Sequence, residues 1–218
     1  MKPIILMAPP QGGKGTIAKW LVETYNIPHI STGDMFKEET ESGSERGKMF
    51  KEIMDSGNLI PDELTIEMVI DRISKDDCRN GFILDGFPRT LNQAKVYKEE
   101  LDKRGLELGY LIELTIPWEV ALERVAGRVI CPECGSSWNT NPESIVYVSD
   151  NICPRCNHEL TTRADDNPET LKKRFDLYFE TTKPILEYYE QFGKVYHFDN
   201  VNSLETLELI KEVINEDK

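Results

Sequence analysis

Two groups of residues in this 218-residue chain have types and spacings that could do chemistry. The first is Ala8-Pro9-Pro10-Gln11-Gly12-Gly13-Lys14-Gly15-Thr16. Glycines let backbone N–H groups turn toward one point, and the lysine adds a positive charge there, which is a way to hold phosphate oxygens. The pattern G-x-x-x-x-G-K-[ST] is met only in part. Gly13-Lys14 is present, but Ala8 stands at the first glycine and Gly15 at the hydroxyl residue, with Thr16 one place later. Taken alone, a Gly-rich turn with an incidental lysine stays open as the alternative.

The second group is Cys131-Pro-Glu-Cys134 and Cys153-Pro-Arg-Cys156, spaced C-x2-C-x18-C-x2-C. Each pair aims two sulfurs at one point, and the span between returns the chain to close a tetrahedron, as in a structural zinc site. Four protein ligands leave no position for water, so a metal there would be structural. Cys78 reads as an ordinary thiol, and His158, two residues after Cys156, as a surface side chain rather than a competing ligand.

These residues need elements to carry them. Pro3–Ala8 is a short apolar run of the kind a buried parallel strand shows, and Ile17–Val22 has helical periodicity. Strand, Gly-rich turn and helix, with the helix starting near Thr16, is the context a phosphate loop requires. Ser31-Thr32-Gly33-Asp34 offers caps for a next helix. Asp62–Ile73 is amphipathic, Phe82–Asp85 and Tyr110–Ile116 predict strands, and Asn92–Leu101 and Val120–Ala126 predict helices. Residues 128–162 change character, with paired cysteines, Ser, Asn and Pro. Helix resumes over Pro168–Gln191, followed by a strand over Lys194–Phe198 and a helix over Ser203–Asn215. Alternating strands and helices predict an α/β protein with a parallel sheet flanked by helices, the cysteine segment being an insertion.

The formal charge is −13, from 26 Lys+Arg against 39 Asp+Glu, which argues against nucleic-acid or anionic-membrane partners because both need a basic surface. With 39% hydrophobic residues the chain can build a core, yet no run approaches the roughly 18 apolar residues of a membrane span. The apolar stretch in Met1–Met7 is too short for a signal peptide, so the expectation is a cytoplasmic protein.

Several further motifs follow in order: Ser31-Thr-Gly-Asp-Met35, Asp85-Gly-Phe-Pro-Arg89, Leu91-Asn-Gln-Ala94, Glu123-Arg124-Val-Ala-Gly-Arg128, Leu160-Thr-Thr-Arg163-Ala-Asp165-Asp166 and Lys172-Lys173-Arg174. In this order and spacing the chain closely resembles adenylate kinase, in the long form with a zinc-bearing lid, from about residue 4 to 217. The resemblance implies a P-loop core over 1–30, 61–128 and 164–218. It also implies a helical AMP-binding insert over 31–60 and a zinc-ribbon-like lid over 129–163. It implies reversible transfer, ATP + AMP to two ADP, with Mg2+ and a structural Zn2+ on Cys131, Cys134, Cys153 and Cys156, in a monomer.

By the same resemblance, Lys14, Arg89, Arg128, Arg163, Arg174 and Asp85 are catalytic, with Asp85 orienting water on Mg2+. The ATP side comprises Gln11, Gly12, Gly13, Lys14, Gly15, Thr16, Arg124 (beside the base), Arg128, Ser137, Trp138 and Asn202. The AMP side comprises Thr32, Lys37, Asn58, Leu59, Ile60, Gly86, Phe87, Pro88, Arg89, Gln93, Arg163 and Arg174. Phosphoryl transfer needs little beyond positioning and charge neutralisation, and arginines suit it because their planar forks bind phosphate bidentately. Asp165 and Asp166 would hold lid arginines, or complement the dipole of the helix entered at Asn167-Pro168.

Three positions depart from the family's pattern. Its loop reads Gly-x-Pro-Gly-x-Gly-Lys-Gly-Thr, so Ala8 and Gln11 replace glycines. Either Gln11 adopts a strained positive φ or Gly12 absorbs the turn. Lys37 stands where an arginine clamps the AMP phosphate and lacks the bidentate fork, which predicts weaker AMP affinity. These departures motivate a second reading, a diverged paralogue with weak activity or another nucleotide preference. A third, a non-enzymatic zinc-ribbon interaction module, would want a basic or aromatic face, whereas the cysteine span holds one arginine, Arg155, against Glu133, Glu143 and Asp150.

Overall fold

The computed structural model describes residues 1–55, 60–163, 166–193 and 195–216. The strands are β1 (Ile4–Met7), β2 (His29–Ser31), β3 (Ile83–Asp85), β4 (Tyr110–Thr115) and β7 (Val195–Asp199), of which β1, β3 and β4 are mainly apolar and buried. These form one five-stranded sheet in the order β2-β3-β1-β4-β7, every pair parallel. A two-stranded antiparallel pair, β5 (Arg128–Ile130) and β6 (Ser137–Asn139), lies apart in the cysteine segment.

Alternation along β1 divides the core in two. Ile5 and Met7 face α4 (Asp62–Ile73), α5 (Leu91–Lys103) and α7 (Pro168–Glu190), burying Val69, Tyr97 and Tyr189 among others. Ile4 and Leu6 face α1 (Lys14–Tyr25) and α8 (Ser203–Glu216), against Ile17, Leu21 and Ile210. Strands buried on both faces explain the continuous apolar runs, since helices cover each side of a parallel sheet. The expected α/β fold, a parallel sheet flanked by helices, is what the chain adopts.

Between β2 and α4 lie α2 (Thr32–Glu41) and α3 (Glu45–Asp55), which build a satellite core around Phe50, Ile60 and Met68. Ser31 caps α2, its side chain accepting from the Asp34 N–H. Helix α6 (Trp118–Ala126) leads into the cysteine segment. Sequence periodicity located α4 at its observed bounds but missed β2 and did not resolve α3. Strand β2 has three residues and α3 is largely polar, so neither shows a full period. Lys194, the predicted start of the last strand, lies outside the described residues.

Candidate active site

Register sets the site. Leu6 pairs with Asp85 on one side and Ile112 on the other, and Ser31 also pairs with Asp85. The loops leaving β1, β2 and β3 therefore emerge side by side at the carboxyl edge of the sheet, where open parallel sheets bind ligands. Helix α1 begins at Lys14 with Gly13 as its cap at φ 78, two residues before the predicted start, so its positive end faces this edge.

Lys14 Nζ lies 2.6 Å from Asp85 Oδ1, and His29 Nε2 lies 3.1 Å from Asp85 Oδ2. Burial is the largest single influence on Asp85 and pushes its pKa up, but the His29 hydrogen bond and the Lys14 charge together outweigh it. The carboxyl sits below the usual carboxylate range. His29 is a site neighbour that sequence reasoning missed. Its signal was position alone, at the edge strand two residues before Ser31.

In the phosphate-type loop, Gln11 itself takes the left-handed turn at φ 66. Its carbonyl accepts a hydrogen bond from Arg124 Nη1 at 3.0 Å. Gly12 serves another purpose: a Cβ there would lie 2.8 Å from Ala8 Cβ and 2.8 Å from Pro9 O. Ala8 and a bare Gly12 are thus complementary. Arg124 also donates from Nη2 to Asn200 O at 2.7 Å and Val201 O at 2.9 Å, so the guanidinium grips backbone. Burial draws its pKa down. Asn200, fully buried, donates from Nδ2 to Gly12 O at 2.6 Å and is a second residue that motif reading missed.

Arg128 forms a bidentate pair with Asp166, with Nε 2.8 Å from Oδ2 and Nη2 on Oδ1. Asp166 thus engages the arginine at the entry to the cysteine segment, while Asn167 caps α7; Asp165 lies outside the described residues. Arg89 donates from Nε to Gly86 O at 2.8 Å, and Thr32 Oγ1 donates to the same carbonyl at 3.0 Å. Gly86, at φ 79, has no room for a side chain: a Cβ would sit 2.9 Å from Thr32 Oγ1.

Many of these residues line one cleft of about 1670 Å³: Gln11 through Thr16, Gly86 through Arg89, Arg124, Arg128, Ser137, Trp138, Arg174 and Asn202. Among the described residues, seven cations line it (Lys14, Lys19, Arg89, Arg124, Arg128, Arg155 and Arg174) against four carboxylates (Glu23, Asp34, Glu123 and Glu143). A chain of net charge −13 therefore presents a locally positive cleft, which favours small polyanions.

Other expected residues stand away from the lining. Gln93 is buried behind the wall, its Oε1 accepting from the Arg89 N–H at 2.7 Å and its Nε2 donating to Asp62 Oδ1 at 2.8 Å. Thr32 is likewise behind Gly86, and Ile60 is packed in the satellite core. Lys37 is exposed, 4.0 Å from Glu41, and Arg163 is exposed outside the cleft. Asn58 and Leu59 lie outside the described residues.

The sulfurs of Cys131, Cys134, Cys153 and Cys156 all lie within 4.8 Å of one another. Cys131 and Cys156 are 3.4 Å apart, and Cys134 and Cys153 3.7 Å. A tetrahedral zinc with sulfurs at about 2.3 Å separates them by about 3.8 Å, so the cluster fits that ion. Cys78 is remote, on a 3-10 turn (Asp76–Cys78), and His158 uses Nδ1 on Cys156 O. Around the cluster, Val129, Val148 and Leu160 form a core too small to stand alone without a staple.

The family model described as adenylate kinase matches residues 6–194. The chain belongs to the adenylate kinase family. An adenylate kinase of Thermosipho africanus is 44% identical over 214 residues, covering 97% of each chain. One of Clostridioides difficile is 45% identical over 192 residues, 87% of each, and one of a Geobacillus species is 43% identical over 204, 93% of each. As a member of the adenylate kinase family, the protein is a phosphotransferase of the nucleoside monophosphate kinase class. Among the described residues, no helix is long and apolar enough to cross a membrane.

Proposed function

We propose that the protein transfers a phosphoryl group reversibly between ATP and AMP, giving two ADP, with Mg2+ on the donor. The observation that carries this is the cleft, in which a β1–α1 phosphate loop and several cations converge, with Asp85 paired to Lys14 behind its lining. Charge on the transferred group spreads over its oxygens, so catalysis needs surrounding cations more than it needs a base.

Lys14 and the α1 amides hold the donor β- and γ-phosphates, and Lys14 leaves Asp85 to do so. Mg2+ would neutralise the donor phosphates when bound, and Asp85 is the residue to hold its water. Arg89 holds the acceptor phosphate, and Arg128, Arg163 and Arg174 neutralise the transferred group. Segments 31–60 and 129–163 close over the two nucleotides as the AMP insert and the zinc-stapled lid. That closure excludes water, which would otherwise accept the phosphoryl group. Thr32 and Gln93 shape the acceptor pocket through Gly86 and Arg89, and Ser137, Trp138 and Asn202 border the donor base. The protein acts as a cytoplasmic monomer.

A coupled ADP-formation assay across ATP and GTP with AMP, CMP and UMP tests the proposal. ATP with AMP should turn over fastest. Turnover with CMP or UMP alone, or with no pair, would overturn it.

A further inference from the structure

Asn200 has no place among the motif residues, yet its side chain and its backbone tie the phosphate loop, Arg124 and the sheet together. It is fully buried, just past β7. Its backbone N–H donates to Thr115 O at 2.7 Å, its carbonyl accepts from Arg124 Nη2, and its Nδ2 donates to Gly12 O at 2.6 Å. Its Oδ1 is buried with no hydrogen-bond partner among the described residues. An orphaned buried acceptor is destabilising, so the carboxamide is retained here at a cost to stability.

The bond to Gly12 O controls one particular peptide. In a planar trans peptide the C=O and the following N–H point to opposite sides, so tying Gly12 C=O to Asn200 turns the Gly13 N–H the other way. The neighbouring peptide is already fixed, with Gln11 C=O on Arg124 and Gly12 N–H on Pro9 O at 2.9 Å. The Gly12–Gly13 peptide lies between two residues without side chains and is the easiest in the loop to flip. A flip would aim a carbonyl oxygen where a donor phosphate needs an N–H. Asn200 also demands Gly13, since a Cβ there would lie 2.4 Å from Nδ2.

We propose that Asn200 is a positioning residue for donor binding: its carboxamide locks the Gly12–Gly13 peptide with its N–H toward the phosphates. A Cβ at Gly12 would meet both Ala8 Cβ and the Pro9 carbonyl oxygen at 2.8 Å, so glycine is required there, and the lock supplies the stiffness that two adjacent glycines lack. The inference rests on the proposed ATP:AMP reaction only in naming ATP as the donor.

The test measures ATP affinity by calorimetry, and ATP and AMP KM by the coupled assay, for the whole protein and Asn200→Ala. Loss of the lock should weaken ATP binding and raise its KM about tenfold, the scale of one hydrogen bond of this kind. The AMP KM should stay within about twofold and the melting temperature should barely move, because the orphaned Oδ1 is removed too. Asn200→Asp, which keeps the size and opposes Gly12 O with a second oxygen, should weaken ATP binding further and serves if the alanine variant fails to fold. Equal rises in both KM values, or a lower melting temperature with unchanged ATP affinity, would overturn the inference. Wild-type protein that binds ATP without forming ADP would instead overturn the proposed reaction, and the Asn200 effect would still be read in the calorimeter.

Discussion

Replacing Gln11 by glycine isolates the strain stored in the phosphate loop. Gln11 sits at φ 66, where a Cβ approaches the following carbonyl at a cost of about 1–2 kcal/mol. Glycine takes that φ freely but gains conformational freedom in the unfolded chain, offsetting about 0.5–1 kcal/mol. The net expectation for Gln11→Gly is a gain of about 0.5–1 kcal/mol. For a chain of this size that raises the melting temperature by roughly 1–4 °C. The bond from Arg124 to Gln11 O uses the backbone, so both Gln11→Gly and Gln11→Ala keep it. Alanine retains the Cβ and hence the strain, and should shift the midpoint by no more than about 1 °C. Thermal unfolding of the three proteins side by side, by circular dichroism or calorimetry, reads the difference between glycine and alanine directly. If glycine is no more stable than alanine, the left-handed strain is absent and the reasoning fails.

Lys37→Arg should lower the AMP KM, since a fork replaces a point charge at an exposed position whose ion-pair partner, Glu41, is 4.0 Å away; an unchanged or higher KM refutes this. Cys153→Ser should lower both the melting temperature and the bound metal measured by elemental analysis, while activity at low temperature survives. A folded, metal-free variant with no activity at all would contradict a purely structural cluster. Asp85 has a folded pKa below its unfolded value of about 3.9, so it stabilises the fold above that pH and the contribution disappears as pH falls through the folded value. Urea unfolding from about pH 6 to 3 should therefore show a steeper acid loss for wild type than for Asp85→Asn, and parallel curves would count against it.

Local order in the chain already determined much of this protein. Apolar runs such as Ile4–Met7 and Tyr110–Thr115 have the length and composition of strands buried on both faces, and the alternation with helical stripes such as Asp62–Ile73 left a parallel sheet as the consistent fold. The cysteine spacing likewise announced four sulfurs at one point, because that geometry is largely local to two tight turns. What tertiary structure alone decided were the contacts that cross the sheet. Gln11 or Gly12 could equally have taken the turn. The choice depends on Arg124, more than a hundred residues away, holding the Gln11 carbonyl. His29 and Asn200 carry no motif, since a single polar residue at the end of a short strand has no period to reveal it. Strand order brings one to Asp85 and the other to Gly12, and register, set by packing of the whole core, is not encoded in any one segment.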